Sequence, residues 1–100
     1  MDVKLNVRSV HFDADQKLVD FIQEKVNKLS QYFDKIIEAD VYLKLENGPS
    51  TENKTVEIRL YIPGNDLFAK KTSKSFEEST DDTTEALRRQ VKRRKEKERG

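Results

Sequence analysis

The sequence predicts a two-layer α+β domain in the order β-α-β-β-β-α, a four-stranded, mostly antiparallel sheet with two helices packed on one face. Three observations carry that expectation. Apolar and polar residues alternate in several short runs, the period of strands buried on one side. In two longer runs the apolar residues recur every three or four positions, the period of helices with one inward stripe. A turn as short as Pro63-Gly64-Asn65-Asp66 between two such strands implies an antiparallel hairpin. One hundred residues suit one compact domain, so residues 1–100 are expected to fold as a single unit.

Val3, Leu5 and Val7 alternate with Asp2, Lys4 and Asn6, which makes the first strand. In Phe12-Asp13-Ala14-Asp15-Gln16, Asp13 is the expected helix cap, with Gln16 three residues on completing a capping box. Leu18, Ile22, Val26, Leu29 and Phe33 then space a helix that runs to roughly Tyr32. The second strand reads Ile37, Ala39, Val41, Leu43 and Leu45 on its inner side, and Asn47-Gly48-Pro49-Ser50 ends it. Val56, Ile58, Leu60 and Ile62 mark the third. Leu67 to Ser73 is the fourth, and its lysines (Lys70, Lys71 and Lys74 just beyond) suit a sheet edge. Ser75 and Glu78 form a second capping box, opening a helix with the stripe Phe76, Thr80, Thr83, Thr84, Leu87 and Val91. Beyond Val91 nothing apolar remains to be buried, so the turns after Lys95 are expected to project into solvent or fray.

The formal net charge is only +1, but the charges are segregated. Residues 1–74 balance, residues 75–85 carry five acids and no base, and residues 86–100 carry eight bases and two acids. Acids at a helix start and bases at its end oppose the helix dipole, which accounts for part of the pattern. Six bases within the eight residues Arg88 to Lys95 exceed what that needs. At 100° per residue, Arg88, Lys92, Lys95 and Arg99 share a band about 60° wide, and Arg89 and Arg93 form a second row on the other flank. The first helix carries Lys17, Lys25, Lys28 and Lys35 beside its apolar stripe, with Tyr32 among them. If the two helices lie side by side, these flanks merge into one basic strip that fits a phosphate backbone. No Asn or Gln is presented among small residues as in a base-reading helix, so shape and backbone are the expected targets.

Other chemistries lack their residues. With no cysteine and only His11, neither a disulfide nor a conventional zinc site can form. The glycines are isolated, the serines have no nucleophile elbow, and no cofactor cradle or active site is visible, so no enzyme and no small-molecule substrate are expected. No run approaches the roughly 20 apolar residues of a membrane span. Met1-Asp2-Val3-Lys4 leads into no signal core, and a cytoplasmic protein is expected. One rival surface is the open sheet face, where Tyr42, Lys44, Arg59 and Tyr61 offer rings for base stacking.

The run Leu18 to Lys35, above all Lys28-Leu29-Ser30-Gln31-Tyr32-Phe33-Asp34, resembles the first helix of the bacterial ribosome hibernation-promoting factors, also called ribosome-associated translation inhibitors. Val41 to Glu46 is similar to that family's second strand, and Leu87 to Lys95 to the end of its last helix. The resemblance implies a rRNA-binding partner of the small ribosomal subunit, acting between head and body where mRNA and tRNA pass, and blocking translation in stress or stationary phase. It carries rRNA contact onto Lys25 and Lys28 of the first helix and Arg88, Arg89, Lys92, Arg93 and Lys95 of the second. The chain departs from the family pattern in the polar stretch Glu77 to Thr84, and it ends at Gly100 without the dimerisation domain of long forms. The expectation is therefore a short form, monomeric when free. A general double-stranded RNA binder and a regulatory module docking on an acidic protein are the alternatives.

Overall fold

The computed structural model describes residues 3–99, with side chains to Lys97. The Arg99 side chain, placed in the basic band above, and Asp2, placed in the first strand, lie outside the described residues. In chain order come β1 (Lys4–Val10), α1 (Gln16–Tyr32), β2 (Glu38–Leu45), β3 (Lys54–Ile62), β4 (Asn65–Ser73) and α2 (Phe76–Arg99). The strands lie side by side in that same order. β1 and β2 run parallel, as a connection long enough to hold a helix allows, while β2–β3 and β3–β4 are antiparallel.

Register sets the two faces. Ala39, Leu60 and Leu67 form one inward row, Val41, Ile58 and Ala69 the next, and Leu43 with Val56 a third. Against these rows pack Leu18, Ile22, Val26 and Leu29 of α1 and Leu87 and Val91 of α2, all in one buried cluster. Both helices therefore cover the same side of the sheet, and the other side stays open.

Four local expectations are corrected. The α1 cap is Asp15, not Asp13: its carboxylate accepts the Leu18 backbone N–H at 2.8 Å. The residues before it are used elsewhere, since the Phe12 ring stacks on Phe76 at 4.7 Å and Ala14 packs on the core. Ile37, read as an inward strand residue, is 59% exposed, because it precedes the first paired position of β2. β4 begins at Asn65 rather than Leu67, since the turn needs only Pro63 and Gly64, with Gly64 at φ +79°. Ser79, left out of the α2 stripe, is fully buried.

The polar start of α2 is buried through hydroxyl chemistry. Ser75 caps the helix by accepting the Glu78 N–H at 3.0 Å. Thr80, Thr83 and Thr84 each return their hydroxyl to a carbonyl one turn back, Phe76, Ser79 and Thr80 respectively. Ser79 donates to the Lys54 carbonyl of β3 and lies 2.7 Å from the Ser73 hydroxyl of β4. Among the described residues no buried side-chain polar atom lacks a partner, so a poorly apolar stripe packs without orphaned groups.

Candidate nucleic-acid interface

α1 and α2 lie abreast, tied at two levels. Lys25 Nζ sits 2.9 Å from Asp81 Oδ1. Nearer the far end, Lys95 Nζ donates to the Tyr32 carbonyl at 3.0 Å and stands 4.3 Å above the Tyr32 ring. Between these ties runs a groove of about 130 Å³ lined by Lys25, Lys28, Leu29, Tyr32, Thr84, Glu85 and Arg88. A pocket for a small organic ligand needs roughly 300–1,000 Å³. This one is too small for that, but its rim suits a chain of phosphates.

The structure thus brings Lys25 and Lys28 of one helix beside Arg88 and Lys95 of the other, and Lys92 is exposed one turn beyond Arg88. Arg89 and Arg93 are exposed about 100° further around α2, on its outer face rather than in the groove. Two carboxylates sit among these cations. Glu85 accepts from Arg88 Nε and Nη2 at 3.0 and 2.8 Å and lies 3.8 Å from Arg89 Nε. The hydrogen bonds from Arg88 hold the Glu85 carboxyl below the usual carboxylate range, and Glu85 in turn raises the Arg88 guanidinium. Sequence reasoning missed Asp81 as a partner, because nothing in one dimension links it to Lys25. It missed Glu85 with Arg88 and Arg89 as well, where i,i+3 and i,i+4 spacing was the available signal.

The open sheet face is built differently. Tyr42 and Phe68 are each about two-fifths exposed, and Arg59 stands 5.0 Å over the Phe68 ring. Phe68 and Asp40 were not foreseen there; their even spacing from Tyr42 and Arg59 across the register was the available signal. Acids and bases cancel on this face: Lys4 beside Glu38, Asp40 beside Arg59, and Glu57 between Tyr42 and Lys70. A balanced face has no long-range pull on a polyanion.

Asp40 anchors this face, accepting from Tyr61 Oη at 2.7 Å and from Asn6 Nδ2 at 2.9 Å. Chiefly through the Tyr61 bond, its carboxyl is held below the ordinary range, and the same bond raises the Tyr61 phenol. A depressed carboxylate contributes stability that is full above its unfolded pKa and lost as pH falls through the folded one; a raised phenol contributes below its unfolded pKa and loses it as pH rises. Tyr61→Phe should therefore lower the melting temperature on a plateau between about pH 4 and about pH 10, with the gap closing at both ends. Melting curves across that range check it. A gap that persists undiminished at pH about 2 would show that the bond is not its source.

Among the described residues no group of three or more His, Cys, Asp or Glu could hold a metal ion, and no helix is long and apolar enough to cross a membrane. The sequence profile of the family described as Sigma 54 modulation protein / S30EA ribosomal protein matches residues 5–99. The ribosome hibernation promoting factor of Pseudomonas putida is 30% identical over 96 residues, covering 96% of this chain and 90% of that protein. The protein of the same name from Escherichia coli K12 is 28% identical over 95 residues, covering 95% and 96%. Of solved structures, a ribosomal subunit interface protein from Coxiella burnetii matches with a TM-score of 0.81 at 16% identity, covering 93% of this chain and 98% of that one. At that identity the likeness establishes the fold alone.

Proposed function

The chain belongs to the family described as Sigma 54 modulation protein / S30EA ribosomal protein, and from that premise we propose that it is a ribosome-associated translation inhibitor. It binds small-subunit rRNA through the cationic ridge of α1 and α2, in the channel between head and body, and excludes mRNA and tRNA during stress or stationary phase. The observation that carries this reading is convergence: cations 63 residues apart in sequence, on helices with little else in common, line one groove. Lys25, Lys28, Arg88, Lys92 and Lys95 take phosphates along it, and Arg89 and Arg93 extend the surface around α2. Recognition is of backbone and shape, because no amide side chain is among the residues lining the groove.

The protein acts as a monomer in the cytoplasm. Gln90 supports this state by donating to the Phe68 carbonyl at 2.9 Å, which occupies a group that β4 would otherwise offer to a second sheet. Lys70 and Lys71 charge the same strand.

Co-sedimentation with isolated small subunits tests the reading. Contacts to about six phosphates give an affinity that falls roughly a thousandfold between about 50 mM and about 200 mM monovalent salt. Generic duplex RNA in excess should leave the protein on the subunit. Displacement by such RNA would point instead to a general double-stranded RNA binder, and salt-independent binding would refute the phosphate-backbone reading.

A further inference from the structure

We infer that Asp81 and Glu85 are built-in competitors for RNA phosphate, restraining the affinity of the groove and speeding its release. The inference rests on the functional reading above and concerns its regulation.

Several of the cations assigned to RNA are already engaged. Lys25 spends one of its three donors on Asp81, across the gap between helices. Arg88 presents one whole edge of its guanidinium, Nε and Nη2, to the two oxygens of Glu85. That edge is the one that grips a phosphate in the same two-pronged way, and it cannot hold both anions at once. Arg89 leans toward the same carboxylate at 3.8 Å. Lys28 and Lys92, by contrast, have no ion pair among the described residues. The groove is therefore a mixture of open cations and cations held by acids from its own wall.

Energies decide what the held pairs do. Both are substantially exposed, with Asp81 at 53% and Glu85 at 44% side-chain exposure. Such solvent-exposed pairs are weak, so a polyanion can open them. Opening them does not remove the carboxylates, which stay well within a Debye length of about 10 Å and repel the bound phosphates. Glu85 takes two of the five Arg88 donors, the Nε–Nη2 edge, and leaves the Nη1 side for a phosphate. Competition at that edge, together with repulsion from a carboxylate that stays beside the bound phosphate, sets the sign of the effect.

The sign of one comparison tests this. Asp81→Asn/Glu85→Gln should bind small subunits roughly tenfold tighter than the wild type, mostly through slower dissociation, and the gain should shrink as salt rises. Glu77→Gln/Glu78→Gln is the control. It makes the same change in net charge on the same helix, at exposed acids that hold no cation among the described residues, and should gain no more than about twofold. Equilibrium titration and stopped-flow dissociation with isolated subunits give both numbers, and thermal melts confirm that each near-isosteric variant folds. If Asp81→Asn/Glu85→Gln binds no tighter than the control, or more weakly, the inference falls while the functional reading stands. If the wild type itself fails to bind small subunits, both fall.

Discussion

Reversing Lys28, Arg88, Lys92 and Lys95 to glutamate together is expected to lower affinity for small ribosomal subunits by a factor of at least about 1,000. The size follows from counting. Each reversal removes one cation–phosphate contact and puts an anion in its place, and a single lost contact of this kind is worth about 1 kcal/mol or more. The fold should survive, because Lys28, Arg88 and Lys92 are exposed, Lys95 is half-buried, and none belongs to the core. Some cost in stability is expected from acids near the end of α2, where the dipole favours cations, at roughly 0.3–1 kcal/mol each. Reversing Lys4, Arg8, Lys44 and Lys70 on the open sheet face makes the same change in net charge, and it should reduce binding far less. Sedimentation of both variants with small subunits, beside their melting curves, decides the matter. Equal losses from the two would mean that only total charge counts, and the groove would lose its standing as the site.

What could be read from the sequence, and what could not, divides along the range of the interactions. The helices and strands were legible because each buries a stripe whose period is set by local geometry: Leu18, Ile22, Val26 and Leu29 announce α1 without reference to anything else. The convergence of basic flanks was legible as well, since any two helices on one face of a sheet have adjoining sides. The start of α2 was legible as a cap at Ser75 and a stripe through Thr80, Thr83 and Thr84, but the means by which so polar a stripe is buried was not. Apolar periodicity scores Thr80, Thr83 and Thr84 as polar, whereas each satisfies its hydroxyl on a carbonyl of its own helix and then packs as a small aliphatic residue. Ser79 escaped notice because its partners, Lys54 and Ser73, come from two other strands. The cap of α1 was misplaced by two residues because Asp13 and Asp15 are equivalent by residue type. The stacking of Phe12 on Phe76 and the packing of Ala14 on the core tell them apart. In the groove the cations were foreseen and Asp81 beside Lys25 was not, a pairing that exists only once two helices meet.

How α2 is anchored leads to the second large effect. Leu87 is fully buried in the shared core, and Val91 is the last buried residue of the helix among the described side chains. These two are the core side chains of the half of α2 that carries Arg88, Lys92 and Lys95, beside the bonds from Gln90 to Phe68 and from Lys95 to Tyr32. Leu87→Ala should cost about 2–5 kcal/mol of unfolding free energy, a large share of the roughly 5–15 kcal/mol that holds a domain of this size together. Thr83→Val at the neighbouring turn is the informative contrast. It keeps the shape of the side chain and loses the one hydroxyl proton, which points at the Ser79 carbonyl at 2.6 Å with the Val56 carbonyl 3.3 Å away, a loss worth about 1 kcal/mol. Denaturant titrations separate the two, with an unchanged slope showing that the same surface is exposed. The functional consequence is sharper than the thermodynamic one. With Leu87 truncated, the wall of the groove is held mainly by Val91, the ridge samples open positions, and affinity for small subunits should fall although no charge has changed. A Leu87→Ala protein that loses less than about 1 kcal/mol would mean that the hydroxyl ladder, and not this leucine, is what keeps α2 on the sheet.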